Sequence, residues 1–204
     1  MEYRNGCTWP TKGKDRIGGG NGFLTYDTVS YPQPTYHPGM DLNFGSGNDD
    51  CGLDVSAMAD GIVNYSGGPS KGWGNHVVIF HPQYNVYSHY AHLKEFSVKK
   101  GEDVRRGQVF AHVGKTGTKY CHVHFEVRKQ SLPPDYWPGG KTKEEVLEKY
   151  YDPKEFILRH PEGLELPPDV SAWIKQTNIS DGSRLNDPAT RYEVILMLYR
   201  AFHS

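Results

Sequence analysis

The 204-residue sequence has no apolar run approaching a membrane span. Its longest, Val194-Ile195-Leu196-Met197-Leu198-Tyr199, falls far short of the about 18 residues required. It has no charge excess: Lys and Arg number 23, Asp and Glu 24, for a net charge of -1. A nucleic-acid-binding domain usually carries a basic surplus, so that class is set aside. Cysteine is scarce. Cys7, Cys51 and Cys121 are too few and odd in number for a disulfide framework, and no C-x-x-C spacing of a structural zinc site occurs. The expectation is free thiols made in a reducing compartment, and nothing in the pattern supports a Cys7–Cys51 bridge. The first fourteen residues lack the apolar stretch of a secretory signal. This gives the expectation of a protein made in the cytoplasm without a signal peptide.

What is present is β-rich. Gly (23) and Pro (14) are abundant without reaching low complexity. Short stretches rich in Val, Ile, Phe and Tyr at 61–65, 76–80, 84–93, 108–113 and 122–128 are separated by turn signals such as Gly67-Gly68-Pro69 and His81-Pro82. No long helical pattern interrupts them, so the expected fold is mainly β, an antiparallel sheet or sandwich, spanning residues 8–130. Residues 131–168 read as linker with short helices at 143–150 and 153–159. Residues 169–204 read as a small α-helical segment, where Thr190-Arg191-Tyr192-Glu193 has capping-box form.

Ten histidines, concentrated between His37 and His124, mark the chemistry. In His37-Pro38-Gly39-Met40-Asp41, Pro38 pushes His37 toward an extended conformation and Gly39 permits a bend, so imidazole and carboxylate can converge. Both groups are good zinc ligands. In His122-Val123-His124-Phe125-Glu126-Val127-Arg128, strict alternation sends Val123, Phe125 and Val127 to the core and the four polar residues to the other face. The two imidazoles then stand roughly 7 Å apart. In Ser88-His89-Tyr90-Ala91-His92-Leu93, His89 and His92 point to opposite faces unless a bulge intervenes, and periodicity does not choose between them. Asp49, Asp50 and Asp54 read as solvated loop carboxylates.

These fragments resemble the lysostaphin-type zinc metallopeptidases of bacterial peptidoglycan. The resemblance runs from Trp9-Pro10 to Arg128 and includes His37-Pro38-Gly39-Met40-Asp41-Leu42, Ala59-Asp60-Gly61-Ile62-Val63, Gly74-Asn75-His76-Val77-Val78-Ile79, Tyr90-Ala91-His92-Leu93 and His122 to Arg128. It implies a groove on an antiparallel β-sheet and one zinc ion per chain, held by His37, Asp41 and His124. It selects His92 over His89, so that His92 and His122 flank the open zinc position as base and oxyanion stabiliser. It also implies hydrolysis of stem-peptide or cross-bridge bonds through a metal-activated water. An amidase, or a non-catalytic wall-binding scaffold of the same fold, is the alternative. Just before the paired imidazoles, Tyr120-Cys121 departs from the family pattern. Strand alternation turns Cys121 toward the core, opposite His122.

At the C-terminus, Asp169-Val170, Trp173-Ile174, Asp181-Gly182, Asn186 to Glu193 and Leu198-Tyr199-Arg200 resemble a shortened S-layer homology module, which implies binding to a cell-wall polymer. With the hydrolase resemblance and the missing signal, this gives the expectation of a phage or prophage lysin that acts at the cell wall after release. Removing residues 169–204 is expected to reduce wall association in a sedimentation assay more than hydrolysis of a soluble peptide. Equal loss of both would assign the tail a structural role.

Overall fold

The computed structural model describes residues 3–11, 22–28 and 33–162. The S-layer-like segment at 169–204 lies outside them. The strands are β1 (Tyr26–Asp27), β2 (Thr35–Tyr36), β3 (Met40–Leu42), β4 (Asp54–Ser56), β5 (Gly61–Ser70), β6 (Gly74–His81), β7 (Val86–Leu93), β8 (Glu95–Phe96), β9 (Asp103–Val104), β10 (Val109–His112), β11 (Val123–Arg128) and β12 (Tyr150–Tyr151); the helices are α1 (Lys143–Lys149) and α2 (Pro153–Arg159). The seven-stranded sheet runs β12-β11-β7-β6-β5-β9, with β3 also paired to β11. A second sheet, β4-β10-β8, and the β1-β2 ribbon complete the strands. Every paired strand is antiparallel. The expected mainly β, antiparallel fold is the one observed.

The alternation of the long strands builds the core. Val63, Val77, Ile79, Tyr90, Val123, Phe125 and Val127 of the larger sheet share one buried cluster with Val55, Phe110 and Ala111 of the smaller. Tyr90 sits at its centre, 5.0 Å from the Phe110 ring and 5.2 Å from the Phe125 ring. Its hydroxyl accepts from the Met58 amide at 2.8 Å, which satisfies the polar end of a fully buried ring. Each buried Val, Ile or Phe of this cluster contributes about 1.5–3 kcal/mol by leaving water.

The opposite face of the larger sheet is also covered. Residues 131–162, read from the sequence as linker and short helices, do contain α1 and α2, but they pack into the domain. Pro133 O accepts from Arg128 Nη1 at 3.3 Å and Pro138 O from Thr35 Oγ1 at 2.8 Å, so this segment straps across the sheet. β12 pairs with β11, and Phe156 and Ile157 of α2 enter the core. Thr142 closes a full capping box at the start of α1, and Asp152 caps α2 ahead of Pro153.

Covering both faces buries histidines. His81 is fully buried, with Nδ1 2.9 Å from Asp60 O and Nε2 2.7 Å from Ser88 Oγ. Burial holds its pKa down to about 4, below the about 6.5 of an unfolded chain. The unfolded state therefore takes up this proton first on acidification. The contribution is complete above about pH 6.5 and is lost as pH falls toward 4, at about 1.4 kcal/mol per pH unit. Urea unfolding between pH 6.5 and 4.5 should show stability falling with pH, and His81→Gln should flatten that slope by one proton. An unchanged slope in the variant would contradict the assignment.

Candidate metal centre

Pairing of β3 with β11 sets Asp41 opposite His124. His37 joins them through the Pro38-Gly39 bend. A Cβ on Gly39 would stand 2.2 Å from Phe125 O, so only glycine lets the bend lie this close to β11. His37 and His124 are buried and Asp41 is slightly exposed. His37 Nε2 lies 3.0 Å from His124 Nδ1 and 3.3 Å from Asp41 Oδ1, and His124 Nδ1 lies 3.1 Å from Asp41 Oδ1. One ligand atom from each residue falls within 4.8 Å of the others.

The outer nitrogens are engaged elsewhere. His37 Nδ1 lies 2.8 Å from Gly39 O, an acceptor, and so carries the proton; Nε2 is then bare. His124 Nε2 lies 3.0 Å from Glu126 Oε1. With neutral rings, the three inward atoms are all acceptors, an arrangement that repels itself unless a cation lies among them. Burial alone would lower the His124 pKa, but the carboxylates of Asp41 and Glu126 raise it to about 9. Burial likewise opposes the charge of Asp41, yet His124 and His37 hold its carboxyl well below the usual range.

His92 reaches the same site through the bulge that the sequence left open. The register with β6 shifts between Asn75 and Val77, and His92 adopts φ +62°. His92 and His89 therefore face the same side. His92 Nδ1 lies 3.0 Å from Thr116 O, and His122 Nδ1 lies 3.0 Å from Tyr120 O. Their rings are 4.7 Å apart, and His92 stands 6.3 Å from the His124 ring. Burial, reinforced by His122 and His124, brings the His92 pKa down to about 3. The structure thus gathers all five sequence-selected residues. It buries His89 deeper, against Glu126.

Trp73, which the sequence reading passed over, roofs the cluster. Its ring lies 4.8 Å from His124, 5.0 Å from His89 and 5.1 Å from Trp137. The available signal was a lone Trp between Gly72 and Gly74. Glu126 and Arg128 do lie on the His124 face, as alternation required, but both are fully buried under this roof.

Two sequence expectations are corrected here. Cys51 and Cys121 form a disulfide, with Cα atoms 5.3 Å apart across 70 residues of sequence, and among the described residues Cys7 alone keeps a thiol. Cys121 does point into the core, as alternation predicted. Asp50 is buried, not solvated. Its carboxylate accepts from the Phe44 amide at 3.4 Å and helps fold the loop that leads to Cys51.

The sequence profile of Peptidase family M23 matches residues 35–136, half of the chain. The chain belongs to Peptidase family M23. Among solved structures it is similar to the catalytic domain of the antimicrobial peptidase lysostaphin from Staphylococcus simulans, with a TM-score of 0.52 and 22% identity over 68% of this chain and 90% of that one. At that identity the likeness establishes the fold.

Among curated proteins, this M23 chain is 39% identical over 84 residues to the lipoprotein NlpD/LppB homolog of Pseudomonas aeruginosa, covering 41% of this chain and 28% of that protein. It is 38% identical over 90 residues to the murein hydrolase activator NlpD of Escherichia coli, covering 43% of this chain and 24% of that protein. The match spans about a quarter of the length of these relatives. Their names overturn the expectation of a phage lysin made in the cytoplasm without a signal peptide and freed to reach the wall. The relatives are a lipoprotein and a murein hydrolase activator.

The Cys51–Cys121 link ties the 43–53 loop to the residue before His122. Under denaturing conditions, alkylation should label one thiol without reductant and three with it. Cys51→Ser should lower stability by about 2–4 kcal/mol in urea titration. Three labelled thiols without reductant would contradict the bridge.

Proposed function

We propose that this M23 protein is a zinc-dependent endopeptidase that cleaves peptide bonds of bacterial peptidoglycan, in the stem peptide or the cross-bridge. The observation that carries this reading is the convergence of His37 Nε2, His124 Nδ1 and Asp41 Oδ1, three acceptors within about a hydrogen-bond length of one another. Two imidazoles and one carboxylate are a donor set suited to zinc, whereas magnesium and calcium favour oxygen ligands. When bound, zinc supplies Lewis acidity to a substrate carbonyl and lowers the pKa of a water.

The remaining work belongs to His92 and His122. Each is anchored through Nδ1 to a backbone carbonyl, so each presents Nε2 as its working nitrogen. The 4.7 Å between their rings supports a reading in which one takes a proton and the other steadies charge on the carbonyl oxygen. The buried Trp73 ring packs against His124, 4.8 Å away.

A second reading is favoured by the names of the curated relatives: a non-catalytic role in which this chain activates a separate murein hydrolase. Digestion of purified peptidoglycan separates the two. The proposed peptidase releases new amino termini within peptides when it acts alone. An activator releases nothing alone and accelerates an added hydrolase, and lactyl-linked sugar ends would instead mark an amidase. His124→Ala should lose zinc and hydrolysis together. His122→Ala should retain zinc while turnover falls about 10²–10⁴-fold. Parent-rate hydrolysis by His124→Ala would overturn the assignment of His124 as a zinc ligand, and a parent that releases no new amino termini alone would end the peptidase reading.

A further inference from the structure

Behind the metal centre lies a polar cluster that the proposed chemistry does not use. Glu126, Arg128, His89 and His76 are fully buried on the face of the sheet that carries His124. Glu126 Oε1 lies 3.0 Å from His124 Nε2, and Glu126 Oε2 accepts from Arg128 Nε at 2.6 Å. Arg128 Nη2 lies 2.8 Å from His89 Nδ1. His89 Nε2 lies 3.0 Å from His76 Nδ1, and His76 Nε2 lies 3.3 Å from Ser70 Oγ.

One proton assignment satisfies this chain. A guanidinium has donors only, so His89 Nδ1 accepts from Arg128 and the His89 proton sits on Nε2. His89 then donates to His76 Nδ1, and His76 donates from Nε2 to Ser70. The 3.1 Å approach of His89 Nδ1 to Glu126 Oε2 brings two acceptors together, and the donors of Arg128 hold both. An ionised carboxylate has acceptors only. Glu126 Oε1 therefore takes the proton of His124 Nε2, and the bare nitrogen of His124 is Nδ1, the atom that faces His37 and Asp41.

We propose that Glu126, held by Arg128, which His89 and Pro133 O anchor in turn, is a positioning residue that fixes the ring orientation and tautomer of His124 and so presets the site for zinc. This inference rests on reading the site as a zinc centre. Arg128 has three separate anchors: Nε on Glu126, Nη2 against His89 and Nη1 on Pro133 O. A carboxylate held this way cannot swing from His124 without stranding a buried guanidinium. A lysine, with one compact charge, would not reproduce the fork. The strap at residues 131–140, which supplies Pro133 O, thereby joins the support of the metal site.

The test uses the full chain. Zinc affinity is measured by chelator competition for the parent, for Glu126→Gln and for a double variant, Glu126→Leu with Arg128→Met. The double variant removes both charges together, so that neither is left buried alone. Thermal unfolding of each metal-free protein checks the fold. The expected loss of zinc affinity is about tenfold for Glu126→Gln, which keeps an uncharged acceptor, and up to about 100-fold for the double variant.

Nitrogen-15 NMR of the zinc-loaded parent adds a readout that a purely structural ion pair would not set: His124 bound through Nδ1, with its proton on Nε2. A folded double variant with parent affinity would overturn the inference. So would metal on His124 Nε2 in the parent, whether or not the variants fold. A parent that holds no zinc would overturn the metal-centre reading and this inference together, whereas a zinc-binding parent with unaffected variants overturns this inference alone.

Discussion

Antiparallel pairing of a three-residue strand, β3, with β11 is the constraint on which the rest depends. It places Asp41 across from His124, and the bend before it brings in His37. Because His37 Nδ1 is held by Gly39 O and His124 Nε2 by Glu126, the atoms left facing one another are all acceptors. Such a cluster is costly to bury without a positive charge at its centre. The carboxylates of Asp41 and Glu126 favour such a charge on His124 itself and raise its pKa. The three converging acceptors thus form a site at which a cation would be favoured.

The surroundings are arranged to keep that geometry. Trp73 and Trp137 cover the polar face, the strap around Pro133 and Pro138 closes over it, and the buried Glu126–Arg128 pair fixes the far side of His124. On the open side, the bulge at His92 and the residue just before β11, His122, bring in two more imidazoles, each tethered through one nitrogen. The Cys51–Cys121 link secures the neighbouring loop. Rigidity at the back and two tethered imidazoles at the front suit the hydrolysis proposed for this site. The same scaffold without chemistry would serve an activator, the role named for relatives that this chain matches over about a quarter of their length.

Much of this was legible in the sequence because its signals are local. Turn residues and β-branched runs located β5, β6, β7, β10 and β11, and the short helices fall at the expected positions. Alternation put Phe125 in the core and His124 on the polar face. What escaped was non-local. Whether His89 or His92 reached the site depended on a bulge, which periodicity permits but does not locate. The disulfide joins residues 70 apart, and an odd cysteine count gave no pairing. Glu126 and Arg128 fit an ordinary polar face equally well, because burial of that face depends on Trp73 and the 131–140 strap, which alternation within one strand does not register. The S-layer-like resemblance at 169–204 stays an expectation outside the described residues.

X-ray absorption at the zinc edge of the purified, zinc-loaded protein tests the central claim most directly. The account predicts one zinc per chain with two imidazole nitrogens and carboxylate or water oxygen at about 2.0–2.2 Å. Failure to retain zinc at one equivalent, or a spectrum dominated by sulfur or lacking imidazole scattering, would contradict it.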